Sequence, residues 1–366
     1  MNSPVACNIC KYTSNLLIDL GKHPLSLVSL KNDPQESKNL DAFEIKVYKC
    51  DICNHCHNAA FNPDVVPYSG DSCKMWNLGK EWREHVETIG KCVRYLNSDH
   101  YVEIGAGDGS FLDSLHTDKS KLLAIDPCDD VEFCGSIGIP YIKDYFKPSY
   151  LPKGKNCVIM RHLLEHMEDP KKFLKSIIKE IGIGSHIAIE VPCIENALAN
   201  ERIEDWTYEH PQHFTKLSLE LLAEACGLKI AKSFKSYGGE VAFLLGEVTD
   251  KKEDWYEPFS YYRKYLKDHN EEFVYWGGAG KSSMFIRLMD LPEDALVVDS
   301  DKRKQGYYVP GTSIKIRSPE VLLDNPRKNV VATTSWRAND IKTELERYGI
   351  SYSDLYVFKN RKFIEV

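Results

Sequence analysis

The chain has 366 residues, of which 43% are hydrophobic and 28% charged, with a formal net charge of −7. That length exceeds one ordinary core and predicts two or three compact units, while the composition excludes a disordered or low-complexity chain. No basic block interrupts the acidic balance, which argues against nucleic acid and membrane surfaces as partners, and Met1 to Cys10 shows no basic leader with an apolar stretch behind it, so a cytoplasmic location is expected.

In such a compartment thiols stay reduced, and cysteines that come in pairs read as metal ligands rather than disulfides. Cys7 and Cys10 form one C-x-x-C, and Cys50 and Cys53 form another. Zinc takes four soft ligands in a tetrahedron, and two such turns close the shell without a water position, so residues 1–63 read as a zinc-binding module with a structural site. Cys56 and His57 follow closely but do not reproduce the first pair's spacing. Residues 64–98 read as a helical connector, with a Tyr/Ser/Gly segment (Tyr68, Ser69, Gly70, Ser72) and then a helix from Trp76 to Leu96. Tyr68 is a packing residue or a substrate contact.

Residues 99–250 open with a strand over His100–Ile104, a turn Gly105-Ala106-Gly107-Asp108-Gly109, and a helix from Ser110 to Leu115. Residues without Cβ let a backbone approach a ligand closely. A second strand, Lys121–Ile125, ends in Asp126 about twenty residues on, where a carboxylate suits a ribose diol. Glu103 to Gly109 has the E-x-G-x-G-x-G form and lacks the two-residue gap of the dinucleotide motif G-x-G-x-x-G. This favours S-adenosylmethionine (SAM), with Glu103, Gly105, Gly107 and Asp126 as its contacts. Strands over Cys157–Met160 and His186–Pro192, separated by the Arg161–Pro170 block and a helix from Lys171, predict a doubly wound α/β sheet with ligands at the strands' C-terminal ends.

The stretch Asp205 to Thr215 is dense in aromatic and titratable groups. A histidine exchanges a proton near neutral pH, and an adjacent carboxylate orients its ring, which makes His210 after Glu209 a candidate base. The alternative is a solvated loop with ordinary histidines. A new unit, 251–366, begins after Lys251–His269: strand Glu272–Trp276, turn Gly277–Gly280, helix Ser282–Met289, strand Ala295–Asp299. Gly280-Lys281-Ser282 is not a phosphate loop, because G-x-x-x-x-G-K-S needs glycine where Tyr275 stands.

The cysteine pairs, Glu103 to Gly109, Glu209-His210, and Asp299 through Lys304-Gln305-Gly306 to Pro310-Gly311-Thr312 together resemble the sugar C-methyltransferases, over nearly the whole chain. The resemblance implies a class I SAM-methyltransferase Rossmann-like domain flanked by the zinc-binding module and a C-terminal Rossmann-like domain. It also implies a nucleotide-activated deoxy-ketosugar as small-molecule substrate, His210 as the base that forms an enolate, His166 as a second histidine near the sugar, and Tyr68 as a substrate-site tyrosine. Many members read Tyr-His-Glu-His and then Tyr-Phe-Ser; here Thr207-Tyr208-Glu209-His210 is followed by His213-Phe214-Thr215. Tyr208 is therefore a candidate for the displaced hydroxyl, and His213 stands where the later tyrosine would contact substrate. O-methylation of a sugar hydroxyl and a non-catalytic zinc- and nucleotide-binding module are the competing readings. The sequence leaves the oligomeric state open.

Overall fold

The computed structural model describes residues 4–26, 29–66, 79–250, 257–359 and 362–366. They fall into two compact units, Met1–Ile9 with Thr13–Glu253, and Asp254–Val366, with which the short turn Cys10–Tyr12 is grouped. No helix among the described residues is long and apolar enough to cross a membrane.

The N-terminal sheet starts with β1 (Val5–Ala6), β2 (Thr13–Pro24), β3 (Ala42–Cys50) and β4 (Cys56–Asn58), all antiparallel to their neighbours. Each cysteine pair sits at a hairpin turn, Cys7 and Cys10 between β1 and β2, Cys50 at the end of β3 and Cys53 in the turn to β4. The register Ser14↔Cys50 lays the two turns side by side. Lys11 and Asn54, each one residue beyond a pair, adopt positive φ of 62° and 54° to complete the tight bends.

The seven-stranded sheet comprises β5 (His100–Ile104), β6 (Leu122–Ile125), β7 (Tyr141–Ile142), β8 (Asn156–Arg161), β9 (His186–Pro192), β11 (Leu228–Ser236) and β12 (Val241–Val248). The missing number, β10 (Gln212–His213), pairs with β4 and joins the first sheet instead. The strand order is β11-β12-β9-β8-β5-β6-β7. β5 to β9 run parallel, and β12 is antiparallel to both β9 and β11. β5, β8 and β9 are buried along almost their whole lengths, as parallel strands covered on both faces must be. The flanking helices carry readable ends. Asp169 caps Pro170–Glu180 by accepting from Lys172 N at 2.8 Å, and Thr215 and Ser218 form a reciprocal capping box on Lys216–Ala225. This is the class I SAM-methyltransferase architecture, and the reversal of strand order at β5 places the glycine turn in the crevice where ligands bind.

The second unit has β13 (Phe273–Trp276), β14 (Leu296–Val298), β15 (Ile316–Arg317), β16 (Asn329–Ala332), β17 (Asp354–Lys359) and β18 (Lys362–Glu365) in the order β15-β14-β13-β16-β17-β18. All pairings are parallel except β17 with β18. The fold is Rossmann-like, with its own core around Val274, Val298, Val330 and Leu345.

Within the first unit one apolar cluster crosses from sheet to loop: Ile45, Val47 and Cys56 from the strands, Ile194 and Ala197 from the segment after β9, and Trp206 and Tyr208 from the histidine-bearing loop. The Tyr208 ring packs against Phe43 and Phe61 at 5.1 and 5.4 Å between centroids, and its hydroxyl accepts from Asn62 N at 2.8 Å. Tyr208→Phe keeps the packing but strands that N–H. It should cost about 1–3 kcal/mol, read as a lower urea midpoint at unchanged slope; a midpoint equal to the parent's would remove this bond from the loop's anchorage.

Candidate active site

The β5–turn–helix junction builds the first part of the site. Gly105, Gly107 and Gly109 hold φ of 76°, 52° and 75°. A side chain at Gly109 would meet Cys134 Sγ at 2.4 Å, whereas nothing lies within 4 Å of a Cβ on Gly107, so the turn is closed beneath and open above. Asp126, at the end of β6, accepts from Gly107 N at 3.0 Å and Cys128 N at 2.9 Å. Each of its oxygens keeps a lone pair for a further donor. Glu103 is buried under the turn, and burial pushes its carboxyl up to about 8 despite the pull of Arg161. Its Oε2 has no hydrogen-bond partner among the described residues. The open face, the carboxylate beside it and the orphaned oxygen fit a nucleoside carrying hydroxyl and amino donors.

The second part lies at the ends of β8 and β9. Glu190, fully buried, takes the Arg161 guanidinium through two contacts of 3.1 Å and His162 Nε2 at 3.0 Å, with His85 Nε2 at 3.3 Å. Its carboxyl is held well below the usual range against the opposing effect of burial, by the Arg161 charge first and then by His162 and His85. His162, at φ 47°, is held between Glu190 and Glu165, which push its imidazolium up to about 9 although burial opposes this. Arg161 also lies over the Phe111 ring at 4.4 Å.

The third part is a histidine pair. The rings of His166 and His210 meet edge to face at 4.7 Å, and Glu165 joins them so that the three ligating atoms lie within 4.8 Å of one another. His166 Nδ1 is 2.8 Å from the Glu209 carbonyl, which can only accept, so the proton sits on Nδ1 and Nε2 is the basic nitrogen. Burial first, and then the charges of His166, His213 and His162, keep His210 well below the ordinary histidine range. It is a neutral imidazole at physiological pH.

The residues singled out from the sequence are therefore not all placed alike. Glu103, Gly105, Gly107 and Asp126 come together at one turn, and His166 and His210 meet. Glu209 is fully buried, takes Ser26 Oγ at 3.4 Å, and reaches His166 through its backbone carbonyl. Tyr208 stands in the aromatic packing already described. His213 is buried on β10 against Trp206 at 4.9 Å, pushed down to about 3 by burial and by His55 and His57. Tyr68 lies outside the described residues. The carboxylate that meets both imidazoles is Glu165, which sequence reasoning passed over although Glu165-His166 repeats the Glu209-His210 dipeptide. His85, Arg161, His162 and Glu190 were not singled out either.

Cys7, Cys10, Cys50 and Cys53 are buried with their sulfurs within 4.8 Å of one another. Cys7 and Cys53 Sγ are 3.6 Å apart, close to the edge of about 3.8 Å that a tetrahedron of thiolates would have around zinc. Ile9 N points to Cys7 Sγ at 3.4 Å. Cys56 lies outside the set as a thiol pushed up to about 12 by burial.

Two family models match the chain, a methyltransferase domain over residues 78–233 and a C-methyltransferase C-terminal domain over residues 249–351. No curated protein matches it. Among solved structures, a SAM-dependent methyltransferase from Thermotoga maritima is 15% identical, covering 46% of this chain and 90% of that one at a TM-score of 0.38. Human N-acetylserotonin methyltransferase in complex with SAM is 13% identical over 46% of this chain and 52% of its own, TM-score 0.37. An Aquifex aeolicus SAM-dependent methyltransferase is 15% identical over 44% and 89%, TM-score 0.35. These scores are too low to add to the family matches and the sheet order. Those two findings set aside a non-catalytic module: the chain is a SAM-dependent methyltransferase, carrying a C-methyltransferase C-terminal domain behind its methyltransferase domain.

Proposed function

We propose that this enzyme methylates carbon next to a ketone, on a nucleotide-activated deoxy-ketosugar, with His210 as the base. The observation that carries the reading is the half-buried His166–His210 pair with the buried Glu165 against it, a neutral acceptor for a carbon-bound proton in a chain with a C-methyltransferase C-terminal domain. SAM supplies an electrophilic methyl group when bound. The chain's own work is to hold the nucleoside on Gly105, Gly107, Glu103 and Asp126, to take the α-proton onto His210 while its electron pair moves onto the ketone oxygen, and to exclude water. His166, fixed by Glu209, offers its Nε2 beside His210. The four cysteines hold a structural zinc ion that shapes the N-terminal sheet.

Three outcomes test this reading. Asp126→Ala should weaken SAM binding roughly 10- to 100-fold by calorimetry, the loss expected for hydrogen bonds to a charged acceptor; an unchanged affinity would remove Asp126 from the nucleoside site. In heavy water without SAM, the parent should wash deuterium into the carbon to be methylated, and His210→Ala should abolish this and lower kcat by roughly 10²- to 10⁴-fold. If turnover survives the substitution, or carbon NMR of the product shows an O-methyl signal, the enolate reading fails. Cys50→Ser should lose zinc and unfold at a lower temperature, because a closed site contributes directly to folding; full zinc content in that variant would contradict the four-cysteine assignment.

A further inference from the structure

Gln212 is 1% exposed, and both ends of its carboxamide are engaged. Its Nε2 donates to the Glu168 carbonyl at 3.0 Å, which fixes the orientation of the amide and turns Oε1 toward donors. Oε1 accepts from Asn8 Nδ2 at 3.2 Å and from the His55 ring Nε2 at 2.9 Å. The partners are spread along the chain in a telling way. Asn8 lies inside the first cysteine pair, His55 is two residues past the second, Glu168 is two residues past His166, and Gln212 is itself two residues past His210. Backbone and side-chain contacts run alongside: Asn58 N donates to Pro211 O at 2.9 Å, and Thr215 Oγ1 to Cys53 O at 3.3 Å.

We infer that Gln212 is a positioning residue for methyl transfer: its one amide ties both cysteine turns to both histidine-bearing segments and so sets the geometry of the His166–His210 pair. The inference rests on the reading of that pair as the proton-handling site. A leucine at this position would fill the same space but leave the Asn8, His55 and Glu168 groups without the shared partner. The histidine segments would then lose the one amide they share with the cysteine turns and rely on the β4–β10 ladder, the Trp206 and Tyr208 packing and the His166–Glu209 contact, so the rings would sample more than one arrangement. The cysteine cluster would remain, since its four sulfurs are untouched.

The test uses the zinc-loaded full chain with ¹⁵N-labelled histidine. In Gln212→Leu, zinc content should stay stoichiometric and SAM affinity should change by less than about twofold, since the glycine turn shares no partner with Gln212. The His166 signal should pass from the single Nδ1–H tautomer to a mixture, and the His210 signal should move with it. Gln212→Glu keeps the acceptor for Asn8 and His55 but has no donor for the Glu168 carbonyl; it should shift the same two signals, and it guards against poor folding of the leucine variant. Unmoved imidazole signals in a folded variant overturn the inference, as does loss of zinc or of fold in both variants, which would make Gln212 a simple support of the cysteine turns. Because the NMR arm needs no substrate, it is separable from the base assignment: His210→Ala losing deuterium exchange while Gln212→Leu leaves the rings in place would sink the latch alone.

Discussion

Two ladder steps, Gln212↔His57 and His213↔Cys56, tie the histidine-bearing loop to the N-terminal sheet. A loop rich in histidine, tryptophan and acid would ordinarily lie in solvent with many conformations, and ordering it costs entropy at every residue. Here the loop surrenders β10 to the N-terminal sheet, buries Trp206 and Tyr208 in that sheet's apolar cluster, and so delivers His210 to His166 in one arrangement. The cysteine turns matter because they shape the hairpin on which β10 lands.

The same nucleotide-fold device occurs in both units with different endings. In the first unit Asp126 takes the Gly107 and Cys128 amides. In the second, Asp299 takes the Gly278 and Asp301 amides at 3.1 and 3.0 Å, in the same relation to turn and strand, but Lys304 Nζ stands 3.1 Å from it. The second turn is closed at its start, where a Cβ on Gly277 would lie 2.5 Å from Ser282 Oγ and one on Gly278 2.6 Å from Ile316, and open at Gly280, where nothing lies within 4 Å of one. A carboxylate already paired with an ammonium has less to offer a ribose than the geometry at Asp126. The Asp299–Lys304–Gln305 signature read from the sequence is in this light an internal knot, with Gln305 Nε2 closing it on the Asp299 carbonyl at 2.9 Å.

What the sequence made legible follows from range. The glycine turn and Asp126, and the two cysteine pairs, are local patterns whose spacing follows from a strand or a hairpin, and in each the residues lie together. The sheet was readable because β5, β8 and β9 are mainly apolar, with Glu103 and Glu190 as the acidic residues inside them. Glu165, Glu190 and His85 escaped notice because their meaning depends on partners far away in the chain, and a buried carboxylate looks the same in sequence as an exposed one. Tyr208 shows the opposite difficulty: its place beside Glu209 suggested chemistry, but the turn over 207–210 sends its ring into the aromatic packing around Phe43 and Phe61.

The contrast between Glu103 and Glu190 shows how the sheet edge sorts its charges. Both are buried carboxyls within the influence of one guanidinium, and burial raises both. Arg161 spends its geometry on Glu190, through two close nitrogen–oxygen contacts, and His162 adds a second cation to the same oxygens, so Glu190 ionises and Glu103 keeps its proton near neutrality. Removing Arg161 would leave Glu190 with an uncompensated buried charge, the costly way to break such a pair. It would also release the Phe111 ring on the helix that follows the glycine turn, since the guanidinium lies over that ring. The brace therefore couples the ends of β8 and β9 to the helix that follows the glycine turn.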